Sequence, residues 1–132
     1  MSSSPGRIIY ICDCEAHAAP VCEVLREHLH YTVECVPDAQ MANLATPGTL
    51  LIVDLPGEKM EQAIRALRLR HAEALILAFI SFADEAAERG CLAEGADDML
   101  AKPLSTARLE LSIRNLLKIN RLQQEVARLQ MA

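Results

Sequence analysis

Short, continuously apolar segments are the feature that most constrains how this chain folds. Residues 8–12, 49–53 and 75–80 contain almost no polar side chains and are rich in Ile, Leu and Val. Such runs are typical of strands that are buried on both faces, as in a parallel sheet. Two further short strands are predicted at residues 32–36 and 98–101.

Between these segments, apolar residues recur at helical spacing. Asp84 is a candidate N-cap, Gly95 a helix end, and Pro20 fits a first turn. The predicted helices cover residues 20–28, 39–44, 60–71, 84–95 and 105–129. Strands and helices therefore alternate five times with short connections. Right-handed crossovers then give an α/β fold, with one parallel sheet and helices on both of its faces.

Three charged residues follow predicted strands at places where this topology brings them together. In a sheet of order 2-1-3-4-5, strand order reverses between strands 1 and 3, and ligands bind at the carboxyl ends there. Asp13 ends strand 1, Asp54 ends strand 3 and Lys102 ends strand 5. The sequence therefore predicts a cleft with two carboxylates and one ammonium group.

Charge and cysteine content exclude several function classes. The net charge is −5, divided into −9 for residues 1–101 and +4 for residues 102–132. An acidic body argues against nucleic acid as the main partner of the globular part, whereas the basic end could contact nucleic acid or an acidic partner.

The longest apolar run is about seven residues, too short to span a membrane, and no signal region precedes it. Five cysteines without a signal peptide indicate reduced thiols in a cytoplasmic protein, with Cys22, Cys35 and Cys91 as packing residues.

Residues 7–118 resemble the receiver domain of bacterial two-component response regulators. The strongest match is the segment 94–104, Glu-Gly-Ala-Asp-Asp-Met-Leu-Ala-Lys-Pro-Leu. A second is Leu50-Leu51-Ile52-Val53-Asp54 with the turn Pro56-Gly57, and a third is Ile11-Cys12-Asp13-Cys14-Glu15. The resemblance implies a flavodoxin-like (βα)5 fold with five parallel strands in order 2-1-3-4-5.

The resemblance also implies site roles. Asp54 corresponds to the phosphoacceptor, which is supplied by a histidine kinase or phosphotransfer protein. Asp13 corresponds to an acid that holds Mg²⁺ together with Asp54. Lys102 corresponds to the lysine that binds the phosphoryl group, and Lys102-Pro103 to a cis peptide. Such a domain is a signalling module rather than an enzyme acting on a metabolite.

Several positions depart from the family pattern. Cys14 stands where the second acid is expected, and a thiol is a poor Mg²⁺ ligand, which weakens the predicted metal site. Glu15 is the substitute ligand one residue further on. Ser81 matches the expected hydroxyl after strand 4 only with a one-residue shift, since Ile80 takes that place. Met99 replaces the aromatic switch residue.

The last helix carries two offset apolar stripes. The first suits packing on the sheet, whereas the second steps by 3, 4 and 3 residues, which is a heptad pattern: Ile119, Leu122, Val126 and Leu129. We divide the chain into a disordered segment 1–6, a receiver domain 7–118 and a helical extension 119–132, a candidate coiled coil. A homodimer is expected through this helix, through the face of the fourth helix, fifth strand and last helix, or through both.

Two functions stay open at this point. In the first, Asp54 is phosphorylated and the domain changes its output face. In the second, the chain is a pseudo-receiver that acts as a dimerisation or protein-interaction module without phosphorylation.

Overall fold

The computed structural model describes residues 7–42, 49–81 and 84–131 and shows one five-stranded parallel sheet. The strand order is β2-β1-β3-β4-β5, as predicted. The strands are β1 Arg7–Cys12, β2 Thr32–Val36, β3 Thr49–Asp54, β4 Leu75–Ile80 and β5 Asp98–Ala101. The continuous apolar runs form these strands because both faces of the sheet are covered.

Four α-helices flank the sheet, together with two shorter helical segments. The α-helices are α1 Glu15–Glu23, α2 Glu58–Arg70, α3 Glu85–Glu94 and α4 Thr106–Met131. A π-helix, Val24–His28, extends α1, and a single 3₁₀ turn, Ala39–Met41, follows β2. The predicted α/β class and the helices on both faces are confirmed.

Two apolar layers cover the two faces of the sheet. Alternate strand residues such as Ile9, Leu51 and Ile76 pack with α2 and with Cys91 of α3. The other set, which includes Tyr10, Ile52 and Phe79, packs with α1 and α4. Because side chains alternate along a strand, residues two apart share a layer. Tyr10 and Cys12 therefore point to the same side of β1.

The first two helices differ from the sequence prediction. The first helix begins at Glu15 rather than near Pro20, which lies inside it. Its last turn widens, since the Leu29 N–H donates to the Val24 carbonyl five residues earlier, 3.0 Å away. The predicted helix 39–44 is a 3₁₀ turn with Asp38 accepting from the Gln40 N–H, 2.9 Å away. The end of that prediction, like residues 1–6, lies outside the described residues.

The helix boundaries further along the chain agree with the prediction. Asp84 accepts a hydrogen bond from the Ala87 N–H, and Gly95 ends α3 with a left-handed φ of 104°. The Ser105 hydroxyl accepts from the Arg108 N–H at the start of α4. That helix runs on without a break past residue 118. Its buried residues end at Leu116, so the extension 119–131 leaves the domain as an exposed helix.

Cys22 and Cys35 form a disulfide, so the prediction of reduced thiols is wrong for this pair. The β1–α1–β2 unit brings them together, since α1 crosses over the sheet beside β2. Cys12, Cys14 and Cys91 are free. Sequence spacing alone does not reveal such a pairing, because it depends on how the helix lies over the strand.

Candidate functional site

A cleft of about 240 Å³ lies at the carboxyl ends of β1, β3 and β4. The parallel register of β1 and β3 places Cys12 opposite Asp54. This is the point where strand order reverses, and Asp13, Asp54, Ser81 and Lys102 all line the cleft. The topology thus brings the predicted carboxylates and the lysine to one place.

Asp54 is the buried acid at the base of this cleft, with 6% of its surface exposed. The Lys102 Nζ lies 2.6 Å from its Oδ1. Its Oδ2 accepts a short hydrogen bond from the Tyr10 hydroxyl. Both oxygens of a buried carboxylate therefore have donors, which satisfies the charge inside the protein.

Tyr10 reaches Asp54 from the apolar layer beside α1 and α4. Its ring is fully buried and packs against Phe79 at 6.0 Å between ring centroids. Burial, followed by the hydrogen bond to Asp54, raises the pKa of Tyr10 far above its ordinary value. The hydroxyl is thus held in its neutral form as a donor to Asp54.

Asp13 has its own cationic partner. The Lys59 Nζ lies 3.2 Å from Asp13 Oδ2, and 65% of the Lys59 side chain is exposed. Lys59 is the second residue of α2, which begins after Gly57, a residue with a φ of 53°. A positive φ of this kind favours glycine, which allows the tight turn that brings the helix start to the cleft.

Lys102 is positioned by the pairing of β4 with β5. Its backbone N–H donates to the Ile80 carbonyl, 2.9 Å away, and the Lys102–Pro103 peptide is cis, as the resemblance implied. The side chain is 43% exposed, so Lys102 is partly solvated while its ammonium group contacts Asp54.

The remaining predicted site residues have different positions. Ser81 lines the cleft and is exposed, whereas Glu15 opens α1, is exposed and is absent from the cleft lining. Cys14 is the N-terminal flanking residue of α1 and lines the cleft in the place of an acid. Cys12 also lines the cleft, half-buried, with its thiol 3.4 Å from the Cys14 carbonyl oxygen. Burial raises the pKa of the Cys12 thiol, so it stays protonated near neutral pH.

A divalent ion finds few suitable ligands in this cleft. Mg²⁺ prefers several hard oxygen ligands. The described residues contain no cluster of three or more His, Cys, Asp or Glu side chains able to hold a metal ion. Three carboxylates line the cleft: Asp13 and Asp54 are paired with lysines, and Asp84 caps α3 by accepting a hydrogen bond from the Ala87 N–H.

Sequence reasoning missed Tyr10 and Lys59. A tyrosine within an aliphatic strand, in phase with the strand-3 residues that lead to Asp54, is a signal for Tyr10. A lysine in the first turn of a helix is disfavoured by the helix dipole unless an acid lies nearby. That unfavourable placement is the signal for Lys59.

The second acidic pair, after α3, serves the fold. Asp97 accepts from the Ile76 N–H at 2.8 Å and pairs with Arg68 at 3.0 Å. Asp98 accepts a short hydrogen bond from the Ser112 hydroxyl of α4. The two acids therefore tie β5 to α2 and α4, at a distance from the cleft lining.

Solved structures with the same fold include several response regulator and receiver domains. The receiver domain of a sensor histidine kinase from Pseudomonas aeruginosa, described with a magnesium ion in its active-site cleft, has a TM-score of 0.72 and 23% identity over 88% of this chain and 99% of its own. A chemotaxis protein from Vibrio cholerae has a TM-score of 0.69 and 19% identity over 84% and 98%. An adenylate cyclase from Rhodopirellula baltica has a TM-score of 0.79 and 19% identity over 95% and 96%.

No protein-family model matches the chain, and no curated protein sequence matches it. At these identities the likeness to solved structures shows the fold alone. The fold is that of the receiver domains of two-component signalling, with the flavodoxin-like strand order that the sequence predicted. On this fold, the chain has a buried aspartate at the end of β3 that is bound by both a lysine and a tyrosine.

Proposed function

We propose that this chain is a signalling receiver whose phosphoacceptor is Asp54, with a histidine kinase or phosphotransfer protein as donor. The observation that carries the proposal is the 2.6 Å contact of Lys102 with Asp54 in a cleft that also contains Asp13. A carboxylate oxygen of Asp54 attacks the phosphorus of a phosphohistidine. The P–N bond breaks, the leaving imidazole keeps the electron pair, and an acyl phosphate forms on Asp54.

The cleft can neutralise the charge of this reaction. A transferring phosphoryl group carries negative charge spread over its oxygens, and nearby cations lower the barrier. Lys102 is the cation in contact with the acceptor, and Lys59 is a second cation, 3.2 Å from Asp13. Ser81 lines the same space and supplies a hydroxyl donor.

The second candidate function is a protein-interaction module that works without phosphorylation. The specific observation that favours it is the Tyr10–Asp54 hydrogen bond, which occupies the second oxygen of the acceptor from inside the core. A donor on a carboxylate lowers its nucleophilicity, and fully buried Tyr10 has no room to turn away.

Intact mass distinguishes the two functions. The protein is incubated with acetyl phosphate, with and without Mg²⁺, beside the Asp54→Asn variant. We expect a gain of one phosphoryl group in the wild type and none in the variant. No gain in the wild type, even with a panel of phosphorylated donor proteins, would leave the interaction module as the function.

We also propose that the chain forms a parallel homodimer through the exposed end of α4. The heptad stripe of Ile119, Leu122, Val126 and Leu129 is between 43% and 59% exposed. In a parallel pair, the flanking charges Lys118 and Glu125 face neutral Gln side chains of the second copy. An antiparallel pair centred on this stripe would bring the two Glu125 side chains near each other, which favours the parallel arrangement.

A second surface suits a protein partner. A groove of about 520 Å³ lies beside β5 and the starts of α3 and α4, lined by Met99, Leu104 and Arg108 among others. This face is the proposed output surface and the other candidate dimer surface.

No helix within the described ranges is long and apolar enough to cross a membrane. A donor kinase domain and this receiver would meet in the cytoplasm.

Enzymatic activity is not part of the proposal. The fold neighbour from Rhodopirellula baltica is called an adenylate cyclase, but at 19% identity its likeness carries the fold and no activity. The function proposed for this chain is signalling through Asp54.

A further inference from the structure

Two of the three carboxylates that line the cleft, Asp13 and Asp54, are each paired with a lysine, and the third, Asp84, caps the start of α3. Asp54 contacts Lys102 at 2.6 Å and Asp13 contacts Lys59 at 3.2 Å. The remaining oxygen of Asp54 is engaged by Tyr10. The formal charge of these two acids and two lysines is therefore zero without any bound ion.

Lys59 is held where a lone lysine is unfavourable. It lies in the first turn of α2, where the helix dipole favours anions, and Glu58 and Glu61 of the same turn follow that rule. The turn at Pro56 and Gly57 brings this helix start to the cleft, where both residues belong to the lining. The ion pair with Asp13 offsets the unfavourable interaction of the lysine with the helix dipole.

A divalent cation would have to compete with this arrangement. Magnesium needs hard oxygen ligands, and a thiol at Cys14 supplies none. An ion placed between Asp13 and Asp54 would also meet the ammonium groups of Lys59 and Lys102. Because Lys59 is 65% exposed, it does not fill the space, and its effect on a cation is one of charge.

We propose that Lys59 is the counter-ion of Asp13 in place of a divalent metal, which makes the cleft selective against Mg²⁺. Lys59 is thus a specificity-determining residue for cations at this site. The inference concerns which ions the cleft accepts, and it stands whether or not Asp54 is phosphorylated.

The test is a titration with Mg²⁺ alone, in which binding is monitored by the backbone amide chemical shifts of Asp13 and Cys14. The variants are Lys59→Gln and, as a control that also removes one positive charge, Lys118→Gln on the exposed part of α4. Thermal unfolding checks that each variant is folded. We expect Lys59→Gln to bind Mg²⁺ about tenfold more tightly than the wild type, and Lys118→Gln to match the wild type.

A second variant pair separates the lysine from the thiol. Adding Cys14→Asp to Lys59→Gln should tighten Mg²⁺ binding beyond that of Lys59→Gln alone. Cys14→Asp by itself should bind Mg²⁺ less tightly than the double variant, because Lys59 is still present. Equal Mg²⁺ affinity of wild type and Lys59→Gln, whether weak or tight, would overturn the inference. Failure of the phosphorylation assay alone would count against the proposed function and not against this inference.

Discussion

Tyr10 donates a hydrogen bond to Asp54 from inside the apolar layer between the sheet and helices α1 and α4. The two residues lie on neighbouring strands, 44 positions apart in sequence, and both are buried. A charged group at the base of a cleft is thus anchored by the protein core as well as by the lysine at its rim. This relationship links Asp54 to the folded core, with consequences for stability and for the titration of Tyr10.

Replacing Tyr10 with Phe should lower the free energy of unfolding. The change keeps the ring and removes one donor to a buried carboxylate, which costs about 1.5–3 kcal/mol. Tyr31→Phe is the matched control, since Tyr31 is only partly buried and should change stability by less than about 0.5 kcal/mol. Urea unfolding of the two variants beside the wild type gives both values. Equal stabilities for the two variants would show that the hydrogen bond contributes nothing.

Tyr10 should not ionise in the folded protein. Its pKa is raised, so the folded state keeps the neutral phenol while the unfolded chain ionises near pH 10. This contribution to stability is constant below about pH 10 and is lost as the pH rises above that value. The Tyr31→Phe variant leaves Tyr10 as its one tyrosine. In this variant, tyrosinate absorbance at 295 nm should therefore appear only when the protein unfolds at alkaline pH, with unfolding measured by circular dichroism. Absorbance that rises before unfolding would contradict the buried hydrogen bond.

The fold was more predictable from sequence than the site. Continuous apolar runs mark the strands because a parallel sheet buries both faces, and the topology then places Asp13, Asp54 and Lys102 together. Tyr10 and Lys59 depend on side-chain reach across strands and from a helix start, which strand patterns do not contain. The early start of α1, its π-helical end and the Cys22–Cys35 disulfide depend on tertiary packing in the same way.

Lys102 and Asp54 should be energetically coupled. Lys102→Met leaves a buried carboxylate that still accepts a hydrogen bond from Tyr10, whereas Asp54→Asn leaves a lysine that is 43% exposed and can be hydrated. We expect Lys102→Met alone to cost on the order of 1–2 kcal/mol, less than for a fully buried pair because the lysine is partly solvated. Combined with Asp54→Asn, the same change should cost much less. Additive effects in this double-mutant cycle would contradict the coupling.

The exposed stripe of α4 should hold two copies together. Leu122→Glu with Val126→Glu places charges on the stripe and should convert a dimer to a monomer. Gln124→Glu with Ala127→Glu adds the same charge to exposed positions outside the stripe and should leave the dimer intact. Sedimentation equilibrium at matched concentrations measures the mass of all three proteins. A wild type that stays monomeric at high concentration would rule out this interface.

The most direct test of the account is the location of a phosphoryl group. The protein is phosphorylated with acetyl phosphate or a phosphorylated donor, digested at low pH, and the modified peptide is identified by mass spectrometry. We predict one phosphoryl group on the peptide that contains Asp54, removed by hydroxylamine as expected for an acyl phosphate, and absent in Asp54→Asn. A modification at another residue, or one that survives in Asp54→Asn, would contradict the assignment of Asp54 as the acceptor.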